Sequence, residues 1–247
     1  MKRLLIAITF LTRLPIPVSK EISQKDMARI TPFFTLVGVI IGCLLILINY
    51  ALSFIFPNFA VNTIIVISLF AITGGLHLDG LMDTFDGLLS GKNQVRKLEI
   101  MRDSRVGAMG VASAICIFAS KLAFLNALSL SDKVNALLLF PIFGRWSMVF
   151  AISFFPYANA KPGLGSLFVE HARKSYVFWA TIPVIILAIP LLLWKAFPVL
   201  IVIFLFTWLI GRSISKKLGG LTGDTYGAIC EIIETLSLAI LSIKINL

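Results

Sequence analysis

Acidic residues are scarce in this chain: 12 Asp and Glu stand against 22 Lys and Arg, and charged residues of both signs make up only 14%. Metal and redox ligands are scarcer still. The two histidines, His77 and His171, are far apart, and His77 has no second ligand at metal spacing. Cys43, Cys116 and Cys230 are scattered through apolar stretches without the close spacing of zinc, iron–sulfur or dithiol sites, so they read as inert packing residues. Low-complexity segments and internal repeats are also missing. The lack of a repeat argues against a secondary transporter, whose coupling carboxylates usually sit near the midplane on broken helices of two repeated halves. So little charge excludes an ordinary soluble domain as well. Hydrophobic residues make up 58% of the chain, well above the roughly 45–50% of globular proteins, and the mean hydropathy is +0.97.

What is present is a succession of long apolar runs. The strict alternation of a membrane β-barrel is absent, and about 20 mostly apolar residues carry a helix across the hydrocarbon core. The chain therefore reads as an all-α, polytopic membrane protein. About seven transmembrane helices are predicted, over 32–56, 60–78, 107–130, 134–155, 176–194, 197–210 and 225–245, the sixth being the shortest. Cytoplasmic loops should carry the Lys and Arg excess, and the basic residues alternate accordingly. Six stand before the first span, five in the second connection, three in the fourth and three in the sixth, against only Lys133, Lys195 and Lys244 on the other side. This orientation puts the N-terminus in the cytoplasm and the C-terminus outside. The basic start MKRLLIAITFLTRLPIP is broken by Arg13, Pro15 and Pro17 before any small-residue cleavage site. Residues 1–30 thus read as an interfacial or cytoplasmic segment rather than a cleaved signal peptide. The whole of 1–247 is read as a single integral-membrane domain, with cytoplasmic connections at 79–106 and 211–224.

The few acids are not scattered. Residues 74–87 read GGLHLDGLMDTFDG, with Asp79, Asp83 and Asp86 inside eight residues. At about 100° per residue, positions i, i+4 and i+7 fall within roughly 60° of one another, so the three carboxylates share one helix face. Like charges four apart repel; something cationic must hold them together. Glu99, Asp103, Asp224, Glu231 and Glu234 bring the group to eight of the 12 acids, all placed by the span map at or beside the cytoplasmic ends of spans two, three and seven. A charge at mid-membrane costs roughly 2.5–3.5 kcal/mol on insertion scales, and the cytoplasmic mouth avoids most of that cost.

Other charged residues complete the picture. Glu99 and Asp103 are interleaved with Arg102 and Arg105 just before Gly107 and Gly110. Arg96, Lys97 and Glu99 suit a salt-bridged juxtamembrane helix, whereas Arg102, Asp103 and Arg105 suit a phosphate clamp, because the guanidinium fork matches phosphate oxygens in a bidentate way. In residues 219–234 the glycines allow positive φ and close backbone approach. Asp224 takes a helix N-cap position, and Glu231 follows seven residues later on the same face, a turn or two into the membrane, where a carboxylate is a functional candidate by default. Glu234 lies further round and deeper. Arg145 either reaches an anionic ligand or pairs with a buried glutamate, Lys121 snorkels or pairs, and His77 serves as a polar packing residue. Carboxylate clusters without histidine or thiolate select hard cations, and Mg²⁺ typically takes one or two carboxylates plus substrate phosphates. With a basic rim that attracts anions, the pattern points to Mg²⁺-assisted phosphoryl or nucleotidyl-type transfer at the membrane face.

Four segments carry a family resemblance: FLTRLPIP at 10–17, GGLHLDGLMDTFDG at 74–87, EIMRDSRVGAMG at 99–110 and GGLTGDTYGAICEIIE at 219–234. They resemble the cobalamin synthase family, the adenosylcobinamide-GDP ribazoletransferases, over nearly the full chain. The resemblance implies a late step of coenzyme B12 assembly, in which a hydroxyl of α-ribazole or its phosphate attacks the cobinamide-side phosphoryl of adenosylcobinamide-GDP and GMP leaves. It implies that Asp79, Asp83 and Asp86 hold Mg²⁺ on the diphosphate, with Asp103 and Asp224 completing the site. One carboxylate, Asp79, would take the hydroxyl proton. Arg102 and Arg105 would bind the phosphates of the leaving GMP, and Arg145, Asp224 and Glu231 would contact substrate. The expected setting is the bacterial cytoplasmic (inner) membrane, with the lipid bilayer as partner, no nucleic acid, and a homo-oligomer left open. The fragment DTFDG at 83–87 also resembles the opening of the CDP-alcohol phosphotransferase signature, but the Ala-Arg pair expected after it is absent. A CDP-alcohol phosphotransferase and a transporter or cation channel remain the alternatives.

Overall fold

The computed structural model describes residues 2–17, 22–158 and 164–243. Lys20, Lys161 and Lys244, which enter the loop-charge count, lie outside the described residues, as does the end of the last expected span. In chain order the helices are α1 (Lys2–Leu11), α2 (Gln24–Ala28), α3 (Phe34–Ser53), α4 (Asn58–Thr73), α5 (Leu76–Leu89), α6 (Gln94–Ile100), α7 (Ala108–Ala127), α8 (Leu130–Phe154), α9 (Leu164–Glu170), α10 (Lys174–Leu192), α11 (Ala196–Leu218) and α12 (Gly223–Leu241). No strand forms among the described residues; one parallel bridge joins Tyr157 to Leu221. The protein is an all-α membrane protein.

α8 is the axis of the bundle. Apart from Arg145 and Ser147 it is apolar from Leu139 to Ile152, and it is buried there without a break, as a helix hydrophobic nearly all round must be. α3 crosses it through Gly38 and Gly42, a spacing that lets two backbones approach in a membrane. A Cβ on Gly38 would lie 2.7 Å from the Pro141 carbonyl oxygen, and one on Gly42 2.8 Å from that of Leu138. α12, α10 and α11 pack around the remaining faces of α8.

Among the described residues, length and apolarity pick out four runs able to cross a membrane, Thr31–Ser53, Ala108–Ala127, Leu130–Phe154 and Lys174–Leu218, and a fifth if α4 and α5 form one bent span. The 45 residues of Lys174–Leu218 would reach about 67 Å as one straight helix, over twice the ~30 Å hydrocarbon core. They fold back instead. Leu193 breaks the run with φ 52, so that Thr181 of α10 and Ile203 of α11 line one cavity with Phe143 of α8. α12, with its three acids, falls outside the apolar set. α11 continues to Leu218, so Arg212, Lys216 and Lys217 lie on its last turns rather than in the connection expected at 211–224. Cations there complement the negative end of the helix dipole.

The second expected span breaks where the sequence reads Gly74-Gly75. Both glycines adopt left-handed φ, 63° and 71°, which costs a residue without a Cβ little. The chain turns 89° between α4 and α5. Arg13 secures the corner: its backbone N–H donates to the Ile72 carbonyl at 2.7 Å, and its side chain lies against Gly74. α5 then runs across the N-terminal ends of α12 and α7.

Candidate active site

Two glycines bring separate acids together. A Cβ on Gly80 of α5 would stand 2.6 Å from the Asp224 carbonyl oxygen, and one on Gly227 of α12 would stand 3.1 Å from the His77 Cα. The helices thus cross backbone to backbone. Asp79 and Asp83, flanking Gly80, come beside Asp224 at the start of α12. Asp83 is partly buried, and desolvation, followed by repulsion from Asp79, Asp224 and Asp86, pushes its carboxyl up to about 7. Like charges held together in low dielectric favour the neutral acid or a bound cation.

Asp86 has a different setting. Its two oxygens accept from the backbone N–H groups of Gly107 and Gly110, both at 2.8 Å. These are among the donors that the first turn of α7 leaves without intrahelical partners. Part of the cation that the triad calls for is therefore a helix N-terminus. Asp224 departs from the expected N-cap. Thr222 caps α12, with its side chain accepting from the Thr225 N–H while the Thr225 hydroxyl accepts from the Thr222 N–H. The extended backbone of Thr222 (φ −121°, ψ 174°) suits it to that position. Asp224, one step past the first helical residue, keeps its carboxylate for the α5 acids, 3.4 Å from the donating Thr222 hydroxyl.

The connection before α7 divides its charges. Arg105 turns onto Asp103, with 2.6 Å from Nη2 to Oδ2 and further bonds from Nε and its backbone N–H, and these bonds hold the Asp103 carboxyl down at about 2. Arg102 instead lies within electrostatic reach of Asp224 and Tyr157. Arg96 and Glu99 form the exposed i, i+3 pair suited to a juxtamembrane helix, at 2.7 Å. Tyr157 was not singled out in the sequence. Its backbone is held by the bonds on either side of it, the Ala158 N–H donating to the Leu221 carbonyl and the Leu221 N–H to the Pro156 carbonyl, both at 2.8 Å, and burial followed by Asp224 raises its phenol. Nothing in its local sequence marks it.

Arg145 and Glu231 lie elsewhere. Lys121 Nζ of α7 is 2.6 Å from Glu231 Oε2 and also bonds Glu234, both on α12, while Arg145 of α8 bonds Glu234 and stands 3.3 Å from His77 Nδ1. All are buried. Two cations and two anions balance, as buried charges must. Glu231 and Glu234 are about 10 and 15 Å further along α12 than Asp224, so the eight acids expected at one mouth separate. Asp79, Asp83 and Asp224 cluster as the candidate site, Asp86 anchors α7, Glu99 and Asp103 hold exposed arginines, and Glu231 and Glu234 belong to the interior network.

Among the described residues no three His, Cys, Asp or Glu side chains enclose a metal ion by themselves. The donor set nonetheless suits Mg²⁺. It offers carboxylate oxygens only, close enough that burial and mutual repulsion raise Asp83, and Mg²⁺ commonly completes its shell with substrate phosphates and water.

Fold and site define an all-α integral-membrane protein with a carboxylate cleft laid across the ends of its helices. The model of the cobalamin-5-phosphate synthase family matches residues 3–242, and the chain belongs to that family. Its relatives include the adenosylcobinamide-GDP ribazoletransferase of Desulforamulus reducens, 42% identical over 230 residues, 93% of this chain and 92% of that protein. Those of Thermoanaerobacter pseudethanolicus, 39% identical with 96% and 95% coverage, and Herpetosiphon aurantiacus, 40% identical with 99% and 98% coverage, carry the same name. No solved structure matches the chain.

Proposed function

We infer that this chain joins α-ribazole, or its phosphate, to adenosylcobinamide-GDP. A ribazole hydroxyl oxygen attacks the cobinamide-side phosphorus, the bond from that phosphorus to the GMP oxygen breaks, and GMP departs with the negative charge. The observation that carries the site assignment is the meeting of Asp79 and Asp83 with Asp224, residues about 140 positions apart in sequence. Asp83 and Asp224, with Asp79 beside them, would hold Mg²⁺ together with substrate phosphates and water. When bound there, Mg²⁺ would supply charge neutralisation for the diphosphate and the leaving group. Asp79, the exposed member, accepts the hydroxyl proton. Arg102, within electrostatic reach of Asp224, steadies the departing phosphate, while Arg105 and Asp103 shape the loop that presents it. The domain is one catalytic unit in the bacterial cytoplasmic membrane with its cleft facing the cytoplasm, a reading supported by the basic residues of that side.

The test is GMP release from adenosylcobinamide-GDP by the purified chain in detergent, with α-ribazole as acceptor. Turnover is expected with Mg²⁺ and a fall of about 100-fold or more on chelation, the order of effect that a charge-stabilising group supplies. Undiminished turnover in chelator would remove the metal from the site. No GMP in either condition would remove the activity.

A further inference from the structure

We propose that the cavity between the Asp79–Asp224 cleft and α8 seats the aromatic base of the acceptor nucleoside, a flat bicyclic heterocycle with one free ring nitrogen. The proposal rests on the functional reading above and names a subsite for it. The cavity measures about 180 Å³ and is bordered by Asp79 and Asp224. Ligand pockets commonly run to ~300–1,000 Å³, so this one admits a ring system rather than a whole nucleotide or a corrinoid. Phe10, Phe34 and Phe168 form its apolar wall, with ring centroids 5.4 to 6.1 Å apart, and Met148 and Ile152 of α8 add to it. Such a wall favours stacked or edge-on aromatic contact.

Two polar atoms point to what enters. His77 and Tyr226 line the cavity at 1% and 2% exposure, and His77 Nε2 and Tyr226 Oη find no hydrogen-bond partner among the described residues. Arginine only donates, so the contact from Arg145 makes His77 Nδ1 the acceptor and leaves the proton on Nε2. Both orphans can therefore donate, and a single ring nitrogen that accepts would satisfy one or both. Buried polar groups left unpaired are what a site of this kind discriminates with. Guanine presents N1–H, an amino group, O6 and N7, and most of these would meet phenyl rings here. The benzimidazole of ribazole presents one bare nitrogen and an otherwise apolar edge. The cavity therefore selects the acceptor's base over the guanine of the donor. It also leaves the ribose against Asp79, the group assigned to take its proton.

Equilibrium dialysis of α-ribazole against the detergent-solubilised full chain, without the GDP-linked substrate, reads the cavity directly, and steady-state kinetics read each substrate separately. Tyr226→Phe, which removes one oxygen, and Phe168→Leu are expected to raise the Kd and KM for α-ribazole about tenfold while leaving the KM for adenosylcobinamide-GDP unchanged. An indole riboside, lacking the accepting nitrogen, is expected to bind wild type and Tyr226→Phe equally. Unchanged α-ribazole binding in both variants, or a rise in the KM for the GDP-linked substrate alone, would overturn the assignment. A wild-type chain that binds α-ribazole with these sensitivities but releases no GMP would sink the transfer reading and leave the base site standing.

Discussion

Asp83 and Asp86 sit three residues apart on one face of α5, yet their surroundings give them opposite effects on stability. Asp83 is pushed up to about 7 by burial and by repulsion from three carboxylates, Asp79, Asp224 and Asp86. Asp86 takes two backbone N–H bonds from α7. Asp83→Asn keeps the shape and removes the charge, so GMP release should fall about 100-fold or more while the thermal midpoint of the solubilised protein holds or rises. In Asp86→Asn the amide accepts one of the two bonds and sets its own N–H₂ against the other donor, and a buried polar group left unsatisfied costs about 1–3 kcal/mol. The midpoint should drop. Equal loss of stability in the two variants would refute the distinction. The shared face was legible from helical arithmetic alone. That Asp86 is answered by amides 21 and 24 residues further on was not, because nothing local marks which helix start α5 will cross.

At the scale of elements, the corner between α4 and α5 decides where the acids go. Gly75 has φ 71°, and a Cβ there meets nothing within 4 Å, so Gly75→Ala should cost only the left-handed backbone strain, about 1–2 kcal/mol. Gly74→Ala adds a collision with the Arg13 side chain and should cost more, with the excess relieved in an Arg13→Ala background. Unfolding midpoints of the four proteins give the comparison, and equal losses for the two alanines would refute it. The apolar runs that became α3, α7, α8, α10 and α11 were legible because hydropathy over some 20 residues reports them directly. The bend was less so: a window over 60–78 averages across Gly74-Gly75, although both glycines stand in plain view. The glycines at 38 and 42, spaced for a close helix crossing, were a signal available in the sequence and not drawn on. The overrun of α11 was hidden for another reason, since basic residues on a final helical turn look like a cytoplasmic loop.

Across the whole molecule, the buried network joins helices that hydrophobic packing alone would leave free to slide. Lys121, Arg145, Glu231 and Glu234 connect α7, α8 and α12, and His77 extends the contact to α5, which carries the acids of the cleft. Lys121, Arg145, Glu231 and Glu234 were each visible as charges within a span, and His77 as a polar packing residue. Their pairing was not, because Lys121 and Glu231 are 110 residues apart and only the finished bundle sets α7 beside α12. Glu234 bonds both cations, so Glu234→Gln leaves Lys121 and Arg145 with one carboxylate between them. Breaking a buried ion pair from one side costs about 3–5 kcal/mol, and a loss of that size should appear in denaturant unfolding of the solubilised protein. Adding Arg145→Met removes the stranded cation as well. The double variant should then be less damaged than the sum of its singles, by a coupling of about 0.5–3 kcal/mol. Strict additivity would mean that the two side chains act independently. His77 would then owe its orientation to the Gly227 crossing alone, and the cleft would be fixed by backbone contact rather than by charge.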